Sequence, residues 1–159
     1  MRKEILYRLR RYPQGNAAAL AEVFRAAVRG TACCHYTPAQ IDAWAASAPS
    51  LAGREEWFLQ LYTVVAEQDG CPVAYGNIDD TGYLDHLFVH PKAAGQGSAL
   101  AICARLEGWA AGRGIPRLTV HASRTAKPFF EKRGWRATAA QQVPLRGEMP
   151  ENFAMEYIV

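Results

Sequence analysis

Apolar residues recur along this chain with two periods, and the switches between them lay out its elements. Residues 83–90, YLDHLFVH, are rich in aromatic and branched side chains, as a half-buried strand is. Pro91 ends the run because it has no N–H to give a ladder. Downstream, Ala99, Ile102, Cys103, Leu106 and Ala110 fall at i, i+3, i+4, i+7 and i+11. They form one apolar stripe of a helix that opens at Ser98 or the glycines beside it and closes at Gly112 and Gly114.

The remaining pattern surrounds that strand–loop–helix unit. Residues 5–12 alternate apolar and basic side chains, a strand with one wetter face. Asn16 opens a helix running to about Arg29, with Leu20, Val23, Phe24, Ala27 and Val28 inside. Thr37-Pro38-Ala39-Gln40 starts a second helix. Thr37 is the N-cap, Pro38 the first helical residue, and Gln40 completes a capping box. Ile41, Trp44, Ala45 and Ala48 line its inner face. Residues 59–68 and 72–78 form a hairpin about Asp69-Gly70, and the Asp79–Gly82 turn leads into the strand at 83–90. Ile115-Pro116 turns into a strand at 118–122, which the intervening helix makes parallel to 84–89. Thr125 caps a short helix with Pro128 in its first turn and Gly134 at its end. Residues 141–146 and 152–158 close the chain as a hairpin. These elements predict an α/β fold: a mixed, mostly antiparallel central sheet with helices on both faces.

Composition narrows the class. With 159 residues and 50% hydrophobic content, the chain is expected to form one domain, 1–159, around a real core. A formal charge of +3 does not call for nucleic acid, but its distribution is uneven. Residues 113–136 hold Arg113, Arg117, Arg124, Lys127, Lys132, Arg133 and Arg136 against the single acid Glu131. A phosphorylated ligand would benefit from positive potential there. The charged start, Met1-Arg2-Lys3-Glu4, is not followed by the apolar segment of a signal peptide, and no run is long enough to span a membrane. Cys33, Cys34, Cys71 and Cys103 do not make a zinc pattern. Cytoplasmic residence with reduced thiols, no metal, no nucleic-acid or membrane partner, and a monomer or homodimer are the expectations.

Candidate chemistry begins in the loop Gly95-Gln96-Gly97-Ser98-Ala99. Small residues let a ligand approach the backbone, and the successive N–H groups of Gly95 to Leu100, with the positive end of the helix dipole, suit a phosphate or pyrophosphate. The loop lacks the Rossmann spacing and the Gly-Lys-Ser/Thr of a P-loop. Taken in order, V-H-P-K-A-A-G-Q-G-S-A, the next strand, and A-K-P-F-F-E-K-R-G-W resemble the GCN5-related N-acetyltransferase (GNAT) superfamily over nearly the whole chain. In that family a (Gln/Arg)-x-x-Gly-x-(Gly/Ala) loop grips the pyrophosphate of acetyl-CoA. The matching six are Ala94 to Ala99, with Ala94 where Gln or Arg is usual. Ser123-x-x-Ala126-x-x-Phe129-Phe130 keeps the family's spacing, with Ser for the frequent Asn and Phe130 for the Tyr. This variant resembles a bacterial YafP-like subgroup.

The resemblance implies a GNAT fold with a splayed parallel strand pair and an acetyl-CoA-dependent transfer to a small-molecule or protein amine. It places the donor's arm along Leu87, Phe88 and Val89, whose main chain polarises the thioester. Ser123, Ala126, Phe129 and Phe130 complete the donor side. The loop at residues 30–36 is where the superfamily builds its acceptor pocket, which makes His35 and Tyr36, with Tyr83, candidate acceptor contacts. An ammonium must lose a proton before it attacks. Asp85, His86 and His121 are the candidate bases, and His86 is favoured because an ordinary histidine titrates in the useful range. Adjacent strand residues point oppositely, so only one of Asp85 and His86 faces the cleft unless a bulge intervenes. Phe130 cannot donate a proton; Tyr83, Ser123, His121 or water would replace the missing tyrosine. A non-catalytic acyl-CoA-binding or regulatory module is the alternative, and a nucleotide-binding protein using the same loop is a third reading.

Overall fold

The computed structural model describes residues 7–31 and 34–159. The first four residues, Ile5 and Leu6 of the expected first strand, and Cys33 lie outside the described residues. Seven strands form one sheet: β1 (Arg8–Arg11), β2 (Tyr62–Gln68), β3 (Cys71–Ile78), β4 (Tyr83–Val89), β5 (Arg117–Ser123), β6 (Arg136–Gln142) and β7 (Glu151–Ile158). Their spatial order is β1-β2-β3-β4-β5-β7-β6, and every neighbouring pair is antiparallel except β4–β5. The helices are α1 (Ala17–Thr31), α2 (Pro38–Ala45), α3 (Ala48–Ala52), α4 (Glu55–Gln60), α5 (Ser98–Gly112) and α6 (Lys127–Lys132). This is the mixed α/β architecture read from the periodicities.

Each face of the sheet has its own core. On one face Leu20, Val23, Phe24 and Val28 of α1 close over Val65 and Tyr75, joined by Ile41, Leu51 and Phe58 from the shorter helices. On the other, Ile102, Cys103, Leu106 and Ala110 of α5 pack on Val64, Ala74, Ile78, Leu84, Leu118 and Val120. The stripe on α5 is the one that the sequence displays. Cys103 is buried within it, and burial pushes its thiol up to about 12. Glu107, one turn further on, accepts from Trp135 Nε1 at 3.0 Å and pairs with Arg133, tying the end of α6 to α5.

Several local readings carry over. Thr37 Oγ1 accepts from Gln40 N and Gln40 Oε1 from Thr37 N, both at 3.1 Å, closing the capping box. Asp69 and Gly70 take positive φ, as a two-residue hairpin turn requires. Other boundaries move. Residues 46–60 hold α3 and α4, so β2 starts at Tyr62 rather than 59. Glu55 and Glu56 favour a helix start there, and Phe58 buries completely against Tyr12 and Tyr75. The last hairpin runs from β6 at Arg136–Gln142, not 141–146. That arm is short of branched residues and exposed along almost its whole length, so its composition hides the strand. Thr125 does not cap α6; Ser123 Oγ closes the turn before it by accepting from Ala126 N at 3.1 Å.

The feature that shapes the site is a β-bulge. Ile78 pairs with Leu84 but Asn77 pairs with His86, so Asp85 is an extra residue in β4. Asn77 Oδ1 accepts the His86 N–H at 3.0 Å and holds the bulge from the neighbouring strand. The parallel partner departs at the same level: β4 and β5 pair only at Tyr83↔Thr119 and Leu84↔Val120. The splay that the resemblance implies therefore begins at the bulge, well before the strand ends at Val89 and Ser123.

Candidate active site

Two cavities open where β4 and β5 part. The narrower, of about 230 Å³, is lined by Leu87, Phe88 and Val89 of β4, Ala99 of α5, Ser123, Thr125, Ala126 and Phe129 after β5, and Ala27, Val28 and Thr31 of α1. Its walls are apolar, and the edge of β4 beside it has no ladder partner beyond Leu84. The wider cavity, of about 500 Å³, is lined by Phe24, Tyr36, Trp44, Arg54, Tyr83, Asp85, His86, Phe88, His121, Ser123, Arg146, Glu151 and their neighbours. Trp44, Phe88 and Ser123 belong to both linings, so the cavities adjoin at these three side chains.

The glycine loop lies at the α5 end of the narrow cavity. Gly95 and Gly97 have φ of 76° and 83°, the left-handed region that other residues resist. Gly97 is the N-cap, no side chain among the described residues caps the helix, and the first ladder bond runs from Ala101 N to Gly97 O. The N–H groups of Ser98, Ala99 and Leu100 therefore stand at the positive helix end without an intrahelical acceptor. Around Gly95 an added Cβ would meet nothing within 4 Å. This end thus offers unpaired N–H groups and open space beside an apolar slot. Leu100 contributes only backbone, since its side chain is exposed, and Gln96 takes a hydrogen bond from Gln68 Nε2.

On the other side of the junction, the bulge turns both Asp85 and His86 into the wide cavity. Their atoms come within 4.0 Å, His86 Nε2 to Asp85 Oδ1. Their environments differ. His86 is enclosed by the rings of Phe24, Trp57, Tyr75 and Phe88. Burial, reinforced by the Arg54 charge, depresses its pKa to about 3. Tyr75, whose ionisation burial also suppresses, puts its hydroxyl 2.9 Å from His86 Nδ1. The ring is thus neutral at physiological pH, and the ordinary titration that favoured it as a base is absent. Asp85 is about one-third exposed. Burial raises its carboxyl above the ordinary 3.8, against the pull of Arg54 and His121. Of the two, Asp85 is the better proton acceptor near neutrality.

Other expected residues fall in different places. His121 lines the wide cavity with its ring 5.4 Å from Tyr83, whose phenol burial keeps protonated. Tyr36 also lines it, but its hydroxyl is spent: it donates to Glu151 O at 2.6 Å and accepts from Arg124 N at 2.8 Å. His35 is exposed and lines neither cavity, but its Nδ1 meets Oγ1 of Thr125, a residue of the narrow lining, at 3.0 Å. Phe130 is only 1% exposed, packed on Trp135 in the core, and it is Phe129 that reaches the narrow cavity. The basic run is largely neutralised: Arg113 pairs with Asp80, Arg117 and Arg136 with Glu156, Arg124 with Glu151, Lys127 with Glu131 and Arg133 with Glu107. It therefore supplies little positive field to the donor side.

Sequence reasoning missed Trp44 as a wall of both cavities, Asn77 as the clamp of the bulge, and Arg54 and Arg146 as cavity cations. None of these is signalled locally. Each is placed by a helix, strand or hairpin that folds in from elsewhere.

A sheet of this order, with its parallel pair parted over a glycine-capped helix start, has the framework of an acyl-CoA-dependent transferase. A family model described as an acetyltransferase (GNAT) domain matches residues 34–145. The chain is 37% identical over 155 residues to the uncharacterized N-acetyltransferase YafP of Escherichia coli (strain K12), covering 94% of each chain. The chain belongs to the GCN5-related N-acetyltransferase superfamily. Among solved structures, one from Rhodopseudomonas palustris described as a GCN5-related N-acetyltransferase superposes with a TM-score of 0.90 at 32% identity, covering 96% of this chain and 95% of that one. The PaiA N-acetyltransferase of Thermoplasma acidophilum, solved in complex with coenzyme A, shares the fold with a TM-score of 0.74 at 18% identity, over 96% and 99% of the chains.

Proposed function

We propose that the whole chain acts as one N-acetyltransferase domain that moves an acetyl group from acetyl-CoA to an amine. The observation that carries this reading is the junction of the two cavities at Trp44, Phe88 and Ser123. One cavity suits an extended thioester arm and the other has room for an acceptor beside a carboxylate. When bound, acetyl-CoA supplies an activated acetyl thioester. Gly95 to Leu100 would hold its pyrophosphate, while Leu87, Phe88, Val89, Ala126 and Phe129 would hold its arm.

The remaining chemistry belongs to the protein's own groups. Asp85 takes the proton that the acceptor ammonium must lose, and passes it to solvent through the open cavity. His86, neutral and enclosed, orients Asp85 rather than titrating. Ser123 accepts from Ala126 N, and no described residue accepts its O–H. That hydroxyl lies at the junction and is the group placed to offer a hydrogen bond to a departing thiolate. Phe130 has no part in proton transfer.

Release of thiol from acetyl-CoA across an amine panel tests the reading. Turnover should saturate with a preferred amine, and kcat/KM should rise with pH through an ionisation above 3.8. Asp85→Asn should lower it by roughly 10²–10⁴ and remove that limb. His86→Gln should cost less; the reverse ranking would return the role to His86. Tight CoA binding with no amine acetylated would leave an acyl-CoA-binding module.

A further inference from the structure

The wide cavity is edged by two exposed arginines that form no ion pair among the described residues. Arg10, Arg25, Arg29, Arg113, Arg117, Arg133 and Arg136 end in ion pairs, and Arg124, which lies beside this cavity, is committed to Glu151 at 3.0 Å. Arg54 and Arg146 line the cavity, and no carboxylate among the described residues lies within ion-pair distance of either. An arginine cannot shed its proton to escape that situation.

Both side chains are held in place. The Arg54 guanidinium lies over the Trp57 ring at 4.2 Å, and Trp57 leans in turn on His86 at 4.9 Å. The Arg54 N–H groups donate to no acceptor among the described residues, so they are open to a ligand in the cavity. Arg146 stands at the tip between β6 and β7. Its φ of 47° is unusual for a side chain with a Cβ, and Gly147 follows at 83°. The tip is closed by Leu145 N to Glu148 O at 2.8 Å and Glu148 N to Leu145 O at 2.9 Å. One nitrogen, Nη1, donates to Ala43 O at 3.0 Å and Ser47 Oγ at 2.9 Å. The other two nitrogens of Arg146 make no hydrogen bond among the described residues. The positive φ at both positions is what a two-residue hairpin turn requires, as at Asp69-Gly70, and the turn carries the Arg146 guanidinium to the cavity wall.

The charges decide what fits. With Glu151 neutralised by Arg124 and His86 uncharged, the cavity's acid is Asp85, set against Arg54 and Arg146. A plain alkylammonium docking on Asp85 would bring a third positive charge into this space. An acceptor that also carries a carboxylate removes the repulsion and gives the guanidinium a planar partner.

We propose that the acceptor is an amino acid-like molecule, its amine at Asp85 and its carboxylate on the in-plane donors of Arg54, with Arg146 contributing from the β6–β7 tip. The proposal rests on the reading of this cavity as the acceptor site, and deepens it to a substrate class.

The test is a length series of ω-amino acids, glycine to 6-aminohexanoate, each set against the alkylamine of the same length. Binding is measured by calorimetry in the presence of CoA, and turnover by thiol release from acetyl-CoA. At the best length the acid-bearing member should bind at least about tenfold tighter than its alkylamine, one charge-assisted contact's worth. Arg54→Gln should erase that preference, mainly through KM of the acid-bearing member, and Arg54→Lys should restore part of it. Equal affinity for the two members of every pair, no measurable binding of either at millimolar concentration, or a preference untouched by Arg54→Gln, would overturn the proposal. The two readings fail separately. A carboxylate preference in binding without turnover counts against the transferase and for this subsite, whereas turnover without preference does the opposite.

Discussion

The narrow cavity and the wide one are built from different parts of the polypeptide. The narrow one depends on main chain: a parted strand edge, two left-handed glycines and the uncapped start of α5. The wide one depends on side chains drawn from α1, α2, α3, β4, β5 and the β6–β7 tip. A main-chain site asks of its residues chiefly that they be small and correctly bent, so it is written in one stretch of sequence. A side-chain site can be retuned position by position without disturbing the donor.

The largest expected effect breaks the main-chain side alone. Gly97→Asp puts a Cβ at a φ of 83° and a negative charge at the helix start. Affinity for acetyl-CoA, read by calorimetry, should fall by roughly 10²-fold or more, from strain and repulsion together. The circular-dichroism spectrum should stay that of the folded chain. Unchanged affinity would remove the loop from the donor site and erase the contrast.

A smaller effect tests the link between the two sides. Asn77→Ala removes the acceptor of the His86 N–H and should cost about 1–3 kcal/mol in urea denaturation. If the bulge is what aims Asp85, the kcat/KM limb assigned to Asp85 should also shift or flatten while KM for acetyl-CoA stays put. A loss of stability with an unmoved pH profile would make Asn77 a packing residue only.

A pH-dependent effect concerns His86. Its pKa falls from 6.5 in the unfolded chain to about 3 in the folded one, so between these values the unfolded state binds the extra proton. Stability is therefore fully present above about 6.5 and declines as pH drops toward 3, by at most about 1.4 kcal/mol per unit. His86→Gln should lessen that slope in denaturant titrations compared across the window. An identical slope would show that His86 is more solvated than its ring neighbours indicate.

The same division explains what could be read before the fold was known. Periodicity revealed α5, the β2–β3 hairpin and the α2 cap because each is encoded by neighbouring residues. The donor loop was legible for the same reason. The competition between Asp85 and His86 was visible as a question, but its answer lies in Asn77, Trp57 and Arg54, which reach them only through tertiary packing. Phe130 had the right place in a motif and the wrong orientation for the cleft, since its burial against Trp135 depends on the turn after α6. β6 was misplaced because alanine and glutamine on an exposed strand carry no alternation.

The bulge at Asp85 also sets the phase of its strand. Leu84 and Leu87 are three positions apart, an odd spacing that a regular strand would send to opposite faces, yet both pack in the core under α5. The extra residue works like a spacer between two reading frames: Tyr83 and Leu84 are in one, and His86 to Val89 in the other. Removing position 85 would leave Leu84 and Leu87 two positions apart, an even spacing that a regular strand sends to one face, so both would keep their core while the bulge itself and the turn it gives the strand would be lost. Substitution at this position is a question about chemistry, whereas a one-residue deletion there is a question about the path of the strand.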